Sequence, residues 1–301
     1  MSRLTAPIDV LTDSTQAADV ASSKGPTDIY NDLYRVKQYN KWGIVAPFSH
    51  PAEWEFPQPV QVVAERMGLT YDEADRTFLG QLSGCNLDCR YCYRGTTGSR
   101  EVTPAQYVNE FLCYNIEHFE APAGVLRISG GEPMLHQNWV GQVVRLVGGE
   151  HYVWVDTNLT ISPSLGLTRE LVGPNVSVNG CFKPGVVDDP WAQIELAKIM
   201  VGAGVDMYFY WPSDDGQRYS NLFIDFLECL EEAIPFAPLR LTVIHIKYYY
   251  DAVKEKVGNW QEKTEASLKA LQLRRYFWRE FCTKHYPSWL CHTPSHQVMI
   301  G

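Results

Sequence analysis

TFLGQLSGCNLDCRYCY, residues 77–93, opens as a short β-compatible run and closes as a loop that carries three cysteines. The run Thr77–Leu82 is predicted to be a strand, and Gly84 starts the tight loop that follows. Beyond it, short strand-like runs alternate with helical patterns. Further strands are expected at Val125–Ser129, Tyr152–Asp156, Val176–Asn179, Met207–Tyr210 and Leu239–His245. Helices are expected at Pro104–Phe119, Gln137–Val147, Trp191–Val201 and Asn221–Ala233, with a weaker one after Leu165. Thr103 is an apt N-cap for the first of these, and Pro104 suits the first helical position. Six strands alternating with helices imply a parallel sheet with right-handed crossovers. Six units fall short of eight-fold closure. The expected fold class is therefore α/β, a partial (β/α)6 TIM-like barrel over residues 76–250.

Outward from that core, residues 1–27 are rich in Ser, Thr, Ala and Asp and read as a flexible N-terminal arm. Residues 28–75 form an N-terminal extension in which Tyr30, Tyr34, Trp42, Phe48, Trp54 and Phe56 are interleaved with prolines. So many aromatic rings need a surface, so the segment is expected to pack on the barrel, as a cover or as part of a substrate pocket. Residues 251–301 form a helical C-terminal extension, with a basic and aromatic helix from Trp260 to about His285 and an irregular aromatic tail.

The 301 residues suffice for a sizeable core. With 26 Lys and Arg against 35 Asp and Glu, the net charge of -9 argues against a broad nucleic-acid footprint. No apolar run approaches the roughly 18 residues that suggest a membrane span, and the N-terminus lacks a signal-like apolar region. A cytoplasmic protein with neither a nucleic-acid nor a membrane partner is expected. In a reducing compartment, three of eight cysteines clustered within eight residues point to metal or redox chemistry rather than disulfides.

Cys85, Cys89 and Cys92, spaced by four and three on one loop, can turn three thiolates toward a single iron–sulfur cluster. A structural zinc site would need a fourth ligand, which His285 or Cys291 could supply only by folding back. Three ligands on a four-iron cluster leave one iron open to a cofactor or substrate. Gly130, Gly131 and Glu132, in SGGEP at the end of the second predicted strand, let backbone approach a ligand beside a carboxylate suited to an ammonium group. They also fit an ordinary strand-to-helix turn. Asp156, Thr157 and Asn158 end the third strand, where barrel enzymes place active-site groups, or form an Asx turn.

The run Cys-x3-Cys-x-Tyr-Cys after a first strand, followed about forty residues later by GGEP, resembles the radical S-adenosylmethionine (SAM) superfamily. Its core is most similar to the glycyl-radical-enzyme activases, the pyruvate formate-lyase activating enzyme-like branch. The resemblance covers about residues 77–250. It implies one [4Fe–4S] cluster on Cys85, Cys89 and Cys92, with SAM chelating the open iron. It also implies reductive cleavage of SAM to methionine and a 5′-deoxyadenosyl radical.

By the same resemblance Tyr91 packs near the adenine, and the glycines and Glu132 meet the methionine amino group. Asp156, Thr157 and Asn158 contact SAM. Asn179 and Lys183 stand where activases carry an Asp and a carboxylate-binding Lys, with the Asp replaced and the Lys displaced. Asp214 and Asp215 resemble an activase Ser-Asp-Asp corner or serve as helix N-terminal charges, and His245 could reach SAM. Cys181 is a radical-relevant thiol or a buried structural one. Cys113 and Cys229 read as core, while Cys282 and Cys291 beside His285 and His292 could bind a metal.

No residue is singled out as catalytic. The expected function is an oxidoreductase- or lyase-type enzyme whose radical abstracts hydrogen from a small-molecule, biosynthetic or tailoring substrate. Its electron donor would resemble flavodoxin or ferredoxin. The alternatives are an activase acting on a protein substrate and a non-enzymatic metal-binding interaction protein.

Overall fold

The computed structural model describes residues 8–11, 58–74, 77–82, 84–92, 99–117, 124–187, 189–213, 220–246, 254, 257–293 and 297–300. Six parallel strands form its centre: β2 (Thr77–Leu82), β4 (Val125–Gly130), β5 (Tyr152–Thr157), β6 (Val176–Cys181), β7 (Met207–Ser213) and β8 (Leu241–His245). They neighbour one another in that order, and the sheet does not close. The partial (β/α)6 barrel is thus the observed architecture. Helices α3 (Pro104–Glu117), α4 (Gln137–Val147), α5 (Leu165–Leu171), α6 (Pro190–Gly202) and α7 (Ser220–Ala233) connect the strands. The amphipathic α4 buries Trp139, Val140, Val143, Val144 and Val147 and stops at Gly148, which takes a left-handed C-cap with φ 66.

Several boundaries differ from the sequence reading. Four central strands run one to three residues further than expected, because Gly130, Thr157, Cys181 and Ser213 continue the ladder after the apolar run ends. The last strand begins later, since Ala237–Arg240 forms a 3-10 turn entered through Phe236 at φ 67. Two strands were not expected: β1 (Ile8–Leu11) pairs antiparallel with both β2 and β3 (Ser99–Val102), extending the sheet to eight strands. The reading of residues 1–27 as a flexible arm therefore needs correction at Ile8–Leu11. Four residues are too few to show a period, yet they cover the otherwise open edge of β2.

Another element is α1 (Gln58–Met67), followed by the short α2 (Tyr71–Ala74). Val62, Val63 and Ala64 pack on Val125, Tyr152, Trp154 and Tyr208, which lie toward the N-terminal ends of their strands. Arg66 donates to the Tyr152 hydroxyl at 3.1 Å and pairs at 2.9 Å with Asp206, which Arg240 also engages at 2.6 Å. This helix packs beneath the N-terminal ends of the strands. The aromatic residues Tyr30 through Phe56, like Asp214 and Asp215, lie outside the described residues. The C-terminal helix α8 (Trp260–His285) lies against α7, β7 and β8, and the short α9 (Ser288–Cys291) follows it. Among the described residues no helix is long and apolar enough to cross a membrane.

Candidate functional site

At the C-terminal ends of the strands lies a cleft that opens to solvent. In this architecture the strand ends are where ligand sites gather. One wall is the loop 84–92, contributing Cys85, Leu87, Cys89, Tyr91 and Cys92. Gly130, Gly131 and Glu132 come from the end of β4, Asp156, Thr157 and Asn158 from β5, and Asn179, Cys181 and Lys183 from β6. Apolar surface comes from Tyr210, Pro212, Ile244 and Ile246. The three loop cysteines, Tyr91, Gly130–Glu132, Asp156–Asn158, Asn179 and Lys183, all named from sequence, are brought to this cavity. His245 ends β8, where its backbone pairs in register with Ser213.

Local chemistry explains the shape. Gly130 has φ 94, a conformation that a side chain would strain, and it turns the chain sharply out of the sheet. Gly131 then donates its N–H to the Leu82 carbonyl at 2.8 Å, and Glu132 donates its N–H to Gly84 at 2.9 Å, joining this turn to the cysteine loop. The Glu132 carboxylate is fully buried. It accepts from Met134 N–H at 2.9 Å, the Thr157 hydroxyl at 2.8 Å and Asn158 N–H at 2.6 Å. Burial pushes its pKa up, against the pull of those donors and Lys183. Glu132 is thus a clamp between two strand ends as well as a ligand candidate.

Asp156 differs more from expectation. Its carboxylate is taken in a forked pair by Arg127, with Nε at 2.9 Å and Nη2 at 3.1 Å, and it accepts from the Asn179 amide at 3.2 Å. Arg127 sits on the strand neighbouring Asp156 and points into the barrel. Asn158 donates to Asn86 at 2.9 Å and reaches toward the Cys85 sulfur at 3.9 Å. Lys183 places its ammonium 3.1 Å from the Cys181 sulfur and 5.9 Å from the Tyr91 ring centroid. The lysine side chain thus turns back toward the end of β6. Burial opposes the charge, but the neighbouring Cys181, Tyr91 and Cys89 hold its pKa high.

Sequence reasoning missed Arg127, Tyr210 and Gln193. Gln193 is fully buried on α6, donates to the Asn158 carbonyl and accepts from Lys183 N–H at 3.1 Å, bracing two cavity segments. A glutamine within the apolar face of α6 was its available signal.

Cys113 is exposed, so its core reading is corrected, because its helix buries another face. Cys229 is half-buried and packs against the core. Cys282 and Cys291 are buried, and the Cys291 thiol donates to the Cys282 carbonyl at 3.5 Å. Among the described residues, no three His, Cys, Asp or Glu side chains are close enough to hold one metal ion. A mononuclear zinc would draw its sulfurs to about 2.3 Å from one centre. Three thiols lining one cavity suit a cluster in which each binds a separate iron. Burial pushes the Cys89 thiol up to about 11, so a bound cation is needed to hold it as thiolate. Asn179 adds a buried Oδ1 without a hydrogen-bond partner, an acceptor available to a polar ligand. The residues fit both the cluster and SAM.

Residues 82–209 match the family model of the radical SAM superfamily. The chain is 38% identical over 86 residues to the pyruvate formate-lyase-activating enzyme of Staphylococcus epidermidis, covering 27% of this chain and 34% of that protein. It is 46% identical over 57 residues to the same-named enzyme of Staphylococcus aureus, covering 17% of this chain and 22% of that one. The chain thus spans about a third and about a fifth of the length of these curated relatives. Among solved structures, it is similar to Streptococcus suis SuiB bound to the precursor peptide SuiA. The TM-score is 0.49 at 14% identity, over 67% of this chain and 44% of that one. For SuiB bound to S-adenosylmethionine the TM-score is 0.41 at 17% identity, over 50% and 36%.

Proposed function

We propose that this protein, whose residues 82–209 match the radical SAM family model, uses SAM-derived radical chemistry to abstract a hydrogen atom from a small-molecule substrate in a biosynthetic or tailoring reaction. The observation that carries the reading is the convergence of Cys85, Cys89 and Cys92 with Gly130–Glu132 and Asn158 in one cavity. A [4Fe–4S] cluster on those cysteines, the cofactor this superfamily uses, would supply the electron that cleaves SAM to methionine and a 5′-deoxyadenosyl radical.

The chain's own residues do the positioning. Gly130 and Gly131 present backbone to an ammonium group, with the Glu132 carboxylate behind them. Lys183 offers its charge to a carboxylate, and Asn179 offers its free oxygen to a polar donor. Tyr91, Tyr210, Pro212, Ile244 and Ile246 give an adenine or a substrate an apolar bed and exclude water. Asp156 acts through Arg127 and Asn179 rather than by direct contact. We place the protein in the cytoplasm, with a flavodoxin- or ferredoxin-like protein as electron donor.

The test is anaerobic reconstitution followed by reduction with SAM and candidate metabolites. The expected result is 5′-deoxyadenosine release that a particular metabolite stimulates, and loss of iron from the variant with all three cysteines changed to alanine. Release insensitive to every metabolite tried would count against the small-molecule reading. A second reading, activation of a partner enzyme by glycyl-radical formation, is favoured by the segmental identity to pyruvate formate-lyase-activating enzymes. An organic radical signal on a co-incubated partner would decide for it.

A further inference from the structure

The cysteine loop is held differently along its two halves. Its first half is tied by polar contacts: Gly84 accepts from Glu132 N–H at 2.9 Å, and Asn86 accepts from Asn158 and donates to Thr160 at 2.7 Å. Its second half buries Cys89 and Tyr91, each 7% exposed, in an apolar cluster with Leu87, Val186, Ile246, Val257 and Trp260. Three of those contacts, Ile246, Val257 and Trp260, lie beyond the residues that match the radical SAM model. Trp260 opens α8, and the Lys254 ammonium lies 5.2 Å from its ring centroid, covering the indole on one side. The C-terminal helix therefore begins against the cysteine loop.

We propose that Val257 and Trp260 form a built-in cover for this loop. They complete the dry wall beside Cys89 and Cys92 and limit the access of dioxygen and chelators to the cluster. The inference rests on the reading that the three cysteines carry a cluster. Apolar shells around metal sites set solvent access, and an indole is the largest such group the chain can place there. The cover explains why α8 starts at this point in space rather than simply packing along β8.

The experiment compares wild type with Trp260→Ala, Trp260→Phe, Val257→Ala and Trp289→Ala, the last at a 70% exposed position on α9. Each is reconstituted anaerobically, assayed for iron and sulfide, and checked for helical content by circular dichroism. The decay of cluster absorbance in air-saturated buffer and iron release to a ferrous chelator are then timed. Trp260→Ala is expected to load iron normally and lose it about fivefold faster or more by both measures. Val257→Ala should accelerate loss about twofold, while Trp260→Phe and Trp289→Ala stay close to wild type. Should Trp260→Ala fail to fold, the Val257→Ala rate decides. Unchanged rates in folded, loaded Trp260→Ala, or in Val257→Ala when it must decide, overturn the cover and leave the cluster reading standing. Failure of the wild type to take up iron and sulfide overturns both.

Discussion

Asp156→Asn is the perturbation that best separates a strut from a ligand. Arg127 and Asp156 form a forked ion pair with a closest approach of 2.8 Å, and their side chains are 15% and 16% exposed. Breaking a buried pair costs about 3–5 kcal/mol, whereas an exposed one is worth about 0–1 kcal/mol. At this exposure the pair lies nearer the buried limit, and asparagine still accepts one bond from the guanidinium. We therefore expect Asp156→Asn to lower unfolding stability by about 2–3 kcal/mol. In a double-mutant cycle with Arg127→Met, the coupling energy should be about 1.5–3 kcal/mol. Urea unfolding of the metal-free chain under reducing conditions reads both quantities. A midpoint unchanged in Asp156→Asn, together with weakened SAM binding to the reconstituted protein, would refute the strut and restore the carboxylate as a direct cofactor ligand.

Further consequences can be measured on the same material. A Cβ at Gly180 would lie 2.5 Å from Leu159 Cδ1. Leu159 is 1% exposed and held at φ 56, so it cannot retreat, and Gly180→Ala should cost about 1–3 kcal/mol, seen as a lower melting temperature. Glu132→Gln turns an acceptor into a donor facing N–H and O–H groups; a stability loss of about 3 kcal/mol or more is expected, and a loss under about 1 kcal/mol would contradict the clamp. His151 has its pKa lowered by burial, partly offset by Glu150, while its ring meets Phe111 edge-on. The unfolded chain then binds the proton more tightly, so stability falls as pH drops through about 6.5 toward the lower folded value. His151→Gln should flatten that part of a melting-temperature profile between pH 7.5 and 5.5.

Much of the frame was legible because the parallel strands are apolar runs separated by helices with a clear period. Gln137–Val147 could be bounded to the residue, since its apolar face is strong and Gly148 ends it. The cavity membership of Cys85 through Lys183 was legible for a related reason, as strand-end residues of a parallel sheet gather at one rim. Partnerships were not. Nothing local shows that Asp156 answers Arg127, because the two stand 29 positions apart and meet only through strand register. Ile8–Leu11 and Ser99–Val102 are too short to carry a period. The cover at Trp260 was hidden for another reason: an indole at the start of a basic helix reads as surface until the loop it meets is known.

The helix beneath the sheet has a consequence for cooperativity. Val62, Val63 and Arg66 share an apolar cluster, a hydrogen bond and an ion pair with Tyr152, Trp154 and Asp206. Segment and sheet are therefore expected to exchange their amides as one unit, with α1 protected as long as the strand starts it rests on.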